Sequence, residues 1–171
     1  MTEIWYGDFT DEKFNRVWTA VSPQGLVAVS MYDDEAKFIA EVTKLTGETP
    51  VYDLGKVAEP NRQLAEYFAG QRREFDLPID WSVMPPFQSE ALKLVYAVPY
   101  GRLTTYGDIA KQLGKPGASR AVGRANATNP MPIVIPCHRV LGSDRKLHGY
   151  GGPGGLETKA WLLRLEGSWL I

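Results

Sequence analysis

Hydrophobic positions change their period several times along the chain, and each change predicts an element. From Phe14 to Tyr32, Val17, Thr19 and Val21 alternate with Trp18 and Ala20. Pro23-Gln24-Gly25 then supplies a turn, and Leu26 to Tyr32 forms a second strand, so the segment reads as a β-hairpin. Asp33 to Leu45 opens with acidic residues and carries Phe38, Val42 and Leu45 at helical spacing. A short strand is predicted over Val51 to Val57. A helix follows from Pro60 to Gly70, with Leu64, Tyr67 and Phe68 on one face and Gly70 as its stop. Arg73 to Trp81 reads as a further strand. Ser82-Val83-Met84-Pro85-Pro86 reads as a linker, because paired prolines continue neither a helix nor a central strand.

Beyond the linker the period is helical. Gln88 to Val98 places Leu92, Val95 and Tyr96 on one face, and Pro99-Tyr100-Gly101 ends it. Thr105-Tyr106-Gly107-Asp108 fits a capping box at the start of a helix that Gly114 stops. After Lys115-Pro116-Gly117, Ala118 to Thr128 forms a second helix, ended by Asn129-Pro130. Two short helices joined by a glycine-containing turn make a helix-turn-helix pattern. The second helix, ASRAVGRANAT, is rich in Ala and Gly and carries Arg120 and Arg124 one turn apart. Its small residues fit close approach to a minor groove and close helix packing equally well. Ile133-Val134-Ile135 is a β-branched run that predicts a buried strand ending at Pro136-Cys137-His138.

Composition sharpens this outline. The chain has 171 residues, 44% of them hydrophobic and 23% charged, which excludes disorder as its main state. No apolar run approaches the length of a membrane span. The start, MTEIWYGDFTDEK, lacks the basic and apolar regions of a secretory signal, so an intracellular protein is expected. Residues 1–86 carry 8 Lys+Arg against 15 Asp+Glu, while residues 87–171 carry 11 against 5. The sign change coincides with the linker. Two domains are therefore expected, 1–85 as an α+β supporting unit and 86–171 as the active, basic unit, the sign expected of a polyanion binder.

The chain has one cysteine, Cys137, and two histidines. One thiol excludes an internal disulfide, a paired-cysteine redox site and a multi-cysteine zinc site, so no metal is expected. A lone cysteine is commonly a small buried hydrophobe. At the end of a buried strand and followed by His138, it is also a candidate thiolate nucleophile. In an extended segment the two side chains point opposite ways, so a water would have to relay the proton between them. The other nitrogen of such a histidine needs an acceptor, and Glu166 is the candidate.

Asn129-Pro130-Met131-Pro132-Ile133-Val134-Ile135-Pro136-Cys137-His138-Arg139-Val140 resembles the active-site signature of the O6-alkylguanine-DNA alkyltransferases. The resemblance runs from about Val95 to Gly167. It takes in Thr105-Tyr106, Ser119-Arg120-Ala121-Val122-Gly123, Gly149-Tyr150 and Trp161-Leu162-Leu163-Arg164-Leu165-Glu166-Gly167 in family order. It implies an α+β protein with a ribonuclease H-like N-terminal domain and a mostly helical C-terminal domain holding a winged-helix-like helix-turn-helix. It also implies direct-reversal repair of DNA, in which a minor-groove binder extrudes O6-alkylguanine, or O4-alkylthymine, and takes the alkyl group irreversibly onto Cys137. A base inside a duplex cannot present O6 to a thiolate, so extrusion is physically required.

The resemblance further assigns roles. Arg120 enters the base stack, with Ser119, Ala121, Gly123 and Arg124 also against DNA. Tyr106 crowds the phosphate and donates to guanine N3. His138 with Glu166 deprotonates Cys137 through water, and Asn129 braces the loop. The backbone carbonyls of Cys137 and Val140 accept from the guanine amine, Tyr150 packs on the base, and the Gly151 N–H faces O6. Asn126 and Pro132 line the pocket, Pro132 matching members that accept benzyl adducts. No cofactor is implied, a monomer is expected, and the compartment is the cytoplasm, or the nucleus in a eukaryote.

Three features depart from the family pattern. Tyr150-Gly151-Gly152-Pro153-Gly154-Gly155-Leu156 is two residues longer than usual, Asn126 replaces a larger apolar residue of some members, and Leu165 replaces a common histidine. Rival functions fare less well. A lesion binder of the alkyltransferase-like kind lacks the reactive cysteine. A transcription factor needs polar base-reading side chains on its second helix. A cysteine hydrolase would turn over many times.

Overall fold

The computed structural model describes residues 2–147 and 155–168. The chain divides into two units, Met1–Met84 and Pro85–Ile171.

The first unit is built on a four-stranded sheet of order β3-β2-β1-β4. Strands β1 (Trp5–Asp11), β2 (Asn15–Ser22) and β3 (Gly25–Met31) form an antiparallel meander, and the two-residue β4 (Val51–Tyr52) joins β1 in parallel. Side chains alternate across this sheet. Tyr6, Trp18 and Ala20 share a core cluster with Phe38 and Val42 of α1 (Glu35–Thr46). On the other face Phe9 and Phe14 meet Phe68 of α2 (Ala58–Phe68), and the Thr19 hydroxyl donates to Asn61 of the same helix at 2.6 Å. Asp34 caps α1 by accepting from the Lys37 N–H, and Gly47 closes it with a left-handed φ of 78°.

In this unit one strand goes unannounced by the sequence and two expectations change. The first strand, β1, has no apolar alternation to announce it, because Asp8, Thr10 and Asp11 interrupt the pattern. The strand expected over Val51 to Val57 stops at Tyr52, since the chain turns at Asp53, whose carboxylate accepts the Gly55 N–H. The strand expected over Arg73 to Trp81 does not form. Buried Gln63 takes both backbone groups of Asp76 with its side chain, and Pro78 has no N–H for a ladder. Only Ile79 bridges to Leu26 of β3. Gly25 permits this approach, because its φ is 139° and a Cβ there would lie 2.5 Å from the Pro78 carbonyl oxygen.

The second unit is mostly helical. Pro86 opens α3 (Pro86–Tyr96) at its first turn. Strand β5 (Thr104–Thr105) leads directly into α4 (Tyr106–Gln112), where the Thr105 hydroxyl oxygen accepts from the Asp108 N–H at 3.1 Å. Helix α5 (Ser119–Ala127) follows, and α3, α4 and α5 pack together through Leu92, Val95, Ile109 and Val122, all fully buried. A 3-10 turn over Cys137–Arg139 feeds β6 (Val140–Leu141), parallel to β5, and α6 (Gly155–Leu165) packs on that turn. No described helix is long and apolar enough to cross a membrane.

Candidate active site

The segment before Cys137 departs from the predicted strand. Ile133 takes a φ of 77°, a left-handed conformation that a β-branched residue rarely adopts. Asn129 imposes it from both sides: its Nδ2 donates to the Ile135 carbonyl at 2.9 Å, and its Oδ1 accepts from the Met131 N–H at 2.9 Å. Burial of Met131, Ile133 and Ile135 holds the loop closed. The β-branched run therefore marks burial, and the side chain of Asn129 decides the shape. Cys137 and His138 consequently sit in a tight turn, so the extended geometry invoked from the sequence does not describe them.

Cys137 is 3% exposed and His138 fully buried. His138 Nε2 lies 2.8 Å from Glu166 Oε2, while its buried Nδ1 has no hydrogen-bond partner. Glu166 follows directly on α6 and also receives Arg139, with Nε to Oε1 at 2.8 Å and Nη2 to Oε2 at 2.9 Å. The third arm of that guanidinium donates to the Val98 carbonyl at 2.6 Å, and its Cζ lies 5.7 Å from the centre of the Tyr100 ring. Burial alone would raise the Glu166 carboxyl. The hydrogen bonds and charges of His138 and Arg139 outweigh it and hold the group far below the usual carboxylate range. Burial lowers His138 despite Glu166, so the imidazole rests neutral beside an ionised carboxylate.

Two further side chains converge here from separate helices. Asn126, 5% exposed on α5, donates from Nδ2 to the Cys137 carbonyl at 3.1 Å. Asn126 also acts on the Tyr106 phenol, opposing the burial that raises it. Lys159, fully buried on α6, donates from Nζ to the Val140 carbonyl at 2.8 Å. Desolvation pushes its ammonium down to about 8, against the attraction of Cys137. Of the two carbonyls that the resemblance gives to the guanine amine, that of Val140 thus already accepts the Lys159 ammonium, and that of Cys137 accepts both Asn126 Nδ2 and the Val140 N–H.

The structure brings Cys137, His138, Glu166, Asn126, Asn129, Tyr106 and Val140 into one hydrogen-bonded and electrostatic neighbourhood. Pro132 is buried in the same loop. Arg120 and Arg124 are exposed on α5, with Ser119, Ala121 and Gly123 partly exposed beside them. Tyr150, Gly151 and the glycine-rich stretch around them lie outside the described residues. Sequence reasoning gave no role to Arg139 or Lys159. For Lys159 a signal existed, because Lys159, Leu162, Leu163 and Glu166 recur at helical spacing and place the lysine on the inward stripe. Among the described residues, no group of His, Cys, Asp and Glu is arranged to hold a metal ion.

Comparison with known proteins matches both units. The family described as 6-O-methylguanine DNA methyltransferase, DNA binding domain, matches residues 86–168. The family described as 6-O-methylguanine DNA methyltransferase, ribonuclease-like domain, matches residues 8–81. A methylated-DNA--protein-cysteine methyltransferase of Mycolicibacterium paratuberculosis is 51% identical over 104 residues, which span 61% of this chain and 61% of that relative. One from Mycobacterium bovis is 50% identical over 116 residues, 68% of each chain. The structure of Mycobacterium tuberculosis OGT in complex with DNA superposes with a TM-score of 0.79 at 36% identity, covering 95% of this chain and 92% of that one.

Proposed function

The chain belongs to the 6-O-methylguanine DNA methyltransferase family, and on that premise we propose that it repairs duplex DNA by moving the alkyl group of O6-alkylguanine onto Cys137, once per molecule. The observation that carries this reading is a buried thiol followed directly by a neutral histidine whose far nitrogen is held by an ionised glutamate.

The chemistry follows from that arrangement. His138 accepts the thiol proton at Nδ1 through one water, and Glu166 at Nε2 stabilises the imidazolium that forms. The thiolate attacks the alkyl carbon in line with the departing oxygen. A carbon–sulfur bond forms, the carbon–O6 bond breaks, and its electron pair returns to the base, which takes a proton at N1 to become guanine. The thioether has no route back to thiol, so the reaction ends at one equivalent and needs no cofactor.

The remaining roles rest on the same reading. The base leaves the stack by the minor groove, with Arg120 filling its place and Ser119, Ala121, Gly123 and Arg124 lying along the backbone. Tyr106 donates to guanine N3, and the carbonyls of Cys137 and Val140 accept from the amine. Asn126 and Pro132 line the pocket, and Tyr150 and Gly151 complete it. O4-alkylthymine is a secondary substrate. The net positive charge of the second half favours DNA and makes binding fall as salt rises. The protein acts as a monomer in the cytoplasm, or in the nucleus of a eukaryote.

The deciding experiment weighs the intact protein after incubation with a duplex carrying one O6-methylguanine. One added methyl on Cys137, saturating at one per molecule with guanine restored, is the expected result. An unchanged mass with tight lesion binding would replace repair by lesion sensing. Arg120→Ala should slow reaction in duplex more than reaction with O6-benzylguanine as a free base. An equal loss on both would remove the wedge role.

A further inference from the structure

Arg139 is buried, 6% exposed, yet the chemistry above gives it no proton to move. Its guanidinium is held on three sides. Nε and Nη2 form a fork on Glu166 at 2.8 and 2.9 Å, Nη1 donates to the Val98 carbonyl at 2.6 Å, and the Tyr100 ring lies beside it. The Tyr100 hydroxyl donates in turn to the Leu165 carbonyl at 3.3 Å, one residue before Glu166. The stretch Val98 to Tyr100, just beyond α3, therefore braces both partners of the ion pair. Replacing a buried ion pair by apolar residues is often neutral for stability, so this construction around one carboxylate has another reason. That reason lies on the far side of the carboxylate. Glu166 Oε2, which takes Nη2, is also the atom 2.8 Å from His138 Nε2. An ionised carboxylate can only accept, so Nε2 carries the imidazole proton and Nδ1 is bare. A protonated Glu166 could instead donate to Nε2 and move that proton to Nδ1, the nitrogen that has to accept from the thiol. Burial favours the protonated form, and the hydrogen bonds and charges of His138 and Arg139 oppose it. Of those two, only Arg139 is charged while the imidazole rests neutral.

Resting on the repair reading above, we propose that Arg139 is a positioning residue that acts through Glu166. Its fork keeps the carboxylate ionised and aimed at Nε2, and so fixes His138 in the tautomer whose Nδ1 can take the Cys137 proton. A carboxylate behind a histidine base sets the tautomer in just this way, and loss of the right tautomer is costly even where the geometry survives. A planar fork suits the task, because two parallel N–H bonds stop the carboxylate from rotating. The fork works against its own field. Glu166, Arg139 and Lys159 all act on His138, and both cations oppose an imidazolium. If charge at the histidine were all that mattered, removing Arg139 would make His138 a stronger base and speed the reaction. If position matters, removal slows it. The two accounts differ in sign.

The test reads the tautomer directly. Protein labelled with nitrogen-15 in its histidines, with His148→Gln so that one imidazole remains, should show a protonated Nε2 and a bare Nδ1 at pH 7. Arg139→Met removes both charge and fork. It should mix the two tautomers and slow methyl transfer from a duplex carrying O6-methylguanine, followed by intact mass, by about 100-fold. Arg139→Lys keeps the charge, and should hold the tautomer and recover most of the rate. Arg139→Gln, neutral but still a donor, takes the place of the methionine variant if that does not fold, and should show the same mixing to a smaller extent. Variants that keep the wild-type tautomer while losing rate or stability would make Arg139 a structural residue and overturn the inference. So would a wild type protonated at Nδ1, or a neutral variant that reacts faster than wild type. A wild type that never methylates Cys137 would instead remove the repair reading, a failure that the histidine spectrum tells apart from this one.

Discussion

Lys159 offers the most quantitative test of the site. Its ammonium is fully buried and donates to the Val140 carbonyl, and desolvation brings its pKa from the ordinary 10.5 down to about 8. That difference is worth about 3 kcal/mol between folded and unfolded chains. The folded chain holds this proton less tightly than the unfolded chain does. Below pH 8 both carry it, and the whole cost falls on the folded state. Between pH 8 and 10.5 the folded chain sheds the proton while the unfolded chain keeps it, so stability gains about 3 kcal/mol across the window. Lys159→Met keeps the apolar stem and removes the group that titrates. With Cys137→Ser in both chains, so that the thiol does not titrate alongside, urea unfolding at intervals from pH 7 to 10.5 should show the lysine chain gaining on the methionine chain by that amount. Carbon-13 labelling of the lysine side chains should show a resonance with a midpoint near 8 that is absent from the variant. A difference curve that stays flat, or a lysine titrating at 10.5, would refute the argument that burial governs this group.

Other expectations follow from the same geometry. Glu166→Gln leaves Arg139 buried with a weakened partner and should lose about 3–5 kcal/mol of stability, measured by urea unfolding. Its carboxyl is held below the ordinary value, so wild type should carry this stabilisation above about pH 4.5 and lose it as pH falls further, whereas the variant shows no such dependence. Gly25→Ala drives a Cβ into the Pro78 backbone and should lower stability by more than about 2 kcal/mol, read from the thermal midpoint; an unchanged midpoint would mean that the 77–80 segment is not tied to β3. Thr105→Ala removes the cap of α4 and should cost about 1 kcal/mol, measured by urea unfolding. A benzylguanine dye should label Cys137, and absence of labelling in protein that repairs methylated DNA would remove the role given to Pro132.

Legibility in the sequence followed the range over which each structural decision is made. The helices from Glu35 to Ala127 announce themselves by spacing and by their stops, and the cap at Thr105 is a four-residue event visible in four letters. Two of the segments misread as strands share one cause. At Arg73 to Trp81 and at Ile133 to Ile135, a polar side chain from elsewhere, Gln63 or Asn129, captures the backbone groups that a ladder would use. Apolar content reports burial and does not reveal that capture. In the site, the motif string named the thiol, the histidine and the glutamate. The pairing of His138 with Glu166, 28 residues apart, required α6 to be placed on the cysteine turn. Lys159 escaped because a charged residue on a helix is read as solvent-facing unless its neighbours at three and seven residues are weighed together.

The docking of α6 has a consequence for the history of each molecule. Cys137 emerges in synthesis well before Lys159 and Glu166, and until those two arrive it is a side chain on an unfinished chain. His138 then lacks its carboxylate, and Val140 lacks its ammonium. On the repair reading, a nascent or unfolded copy therefore lacks the arrangement proposed to activate the thiol, which is complete only when the last helix closes on the turn. In a protein that reacts once, that order keeps the single reaction for chains that have finished folding.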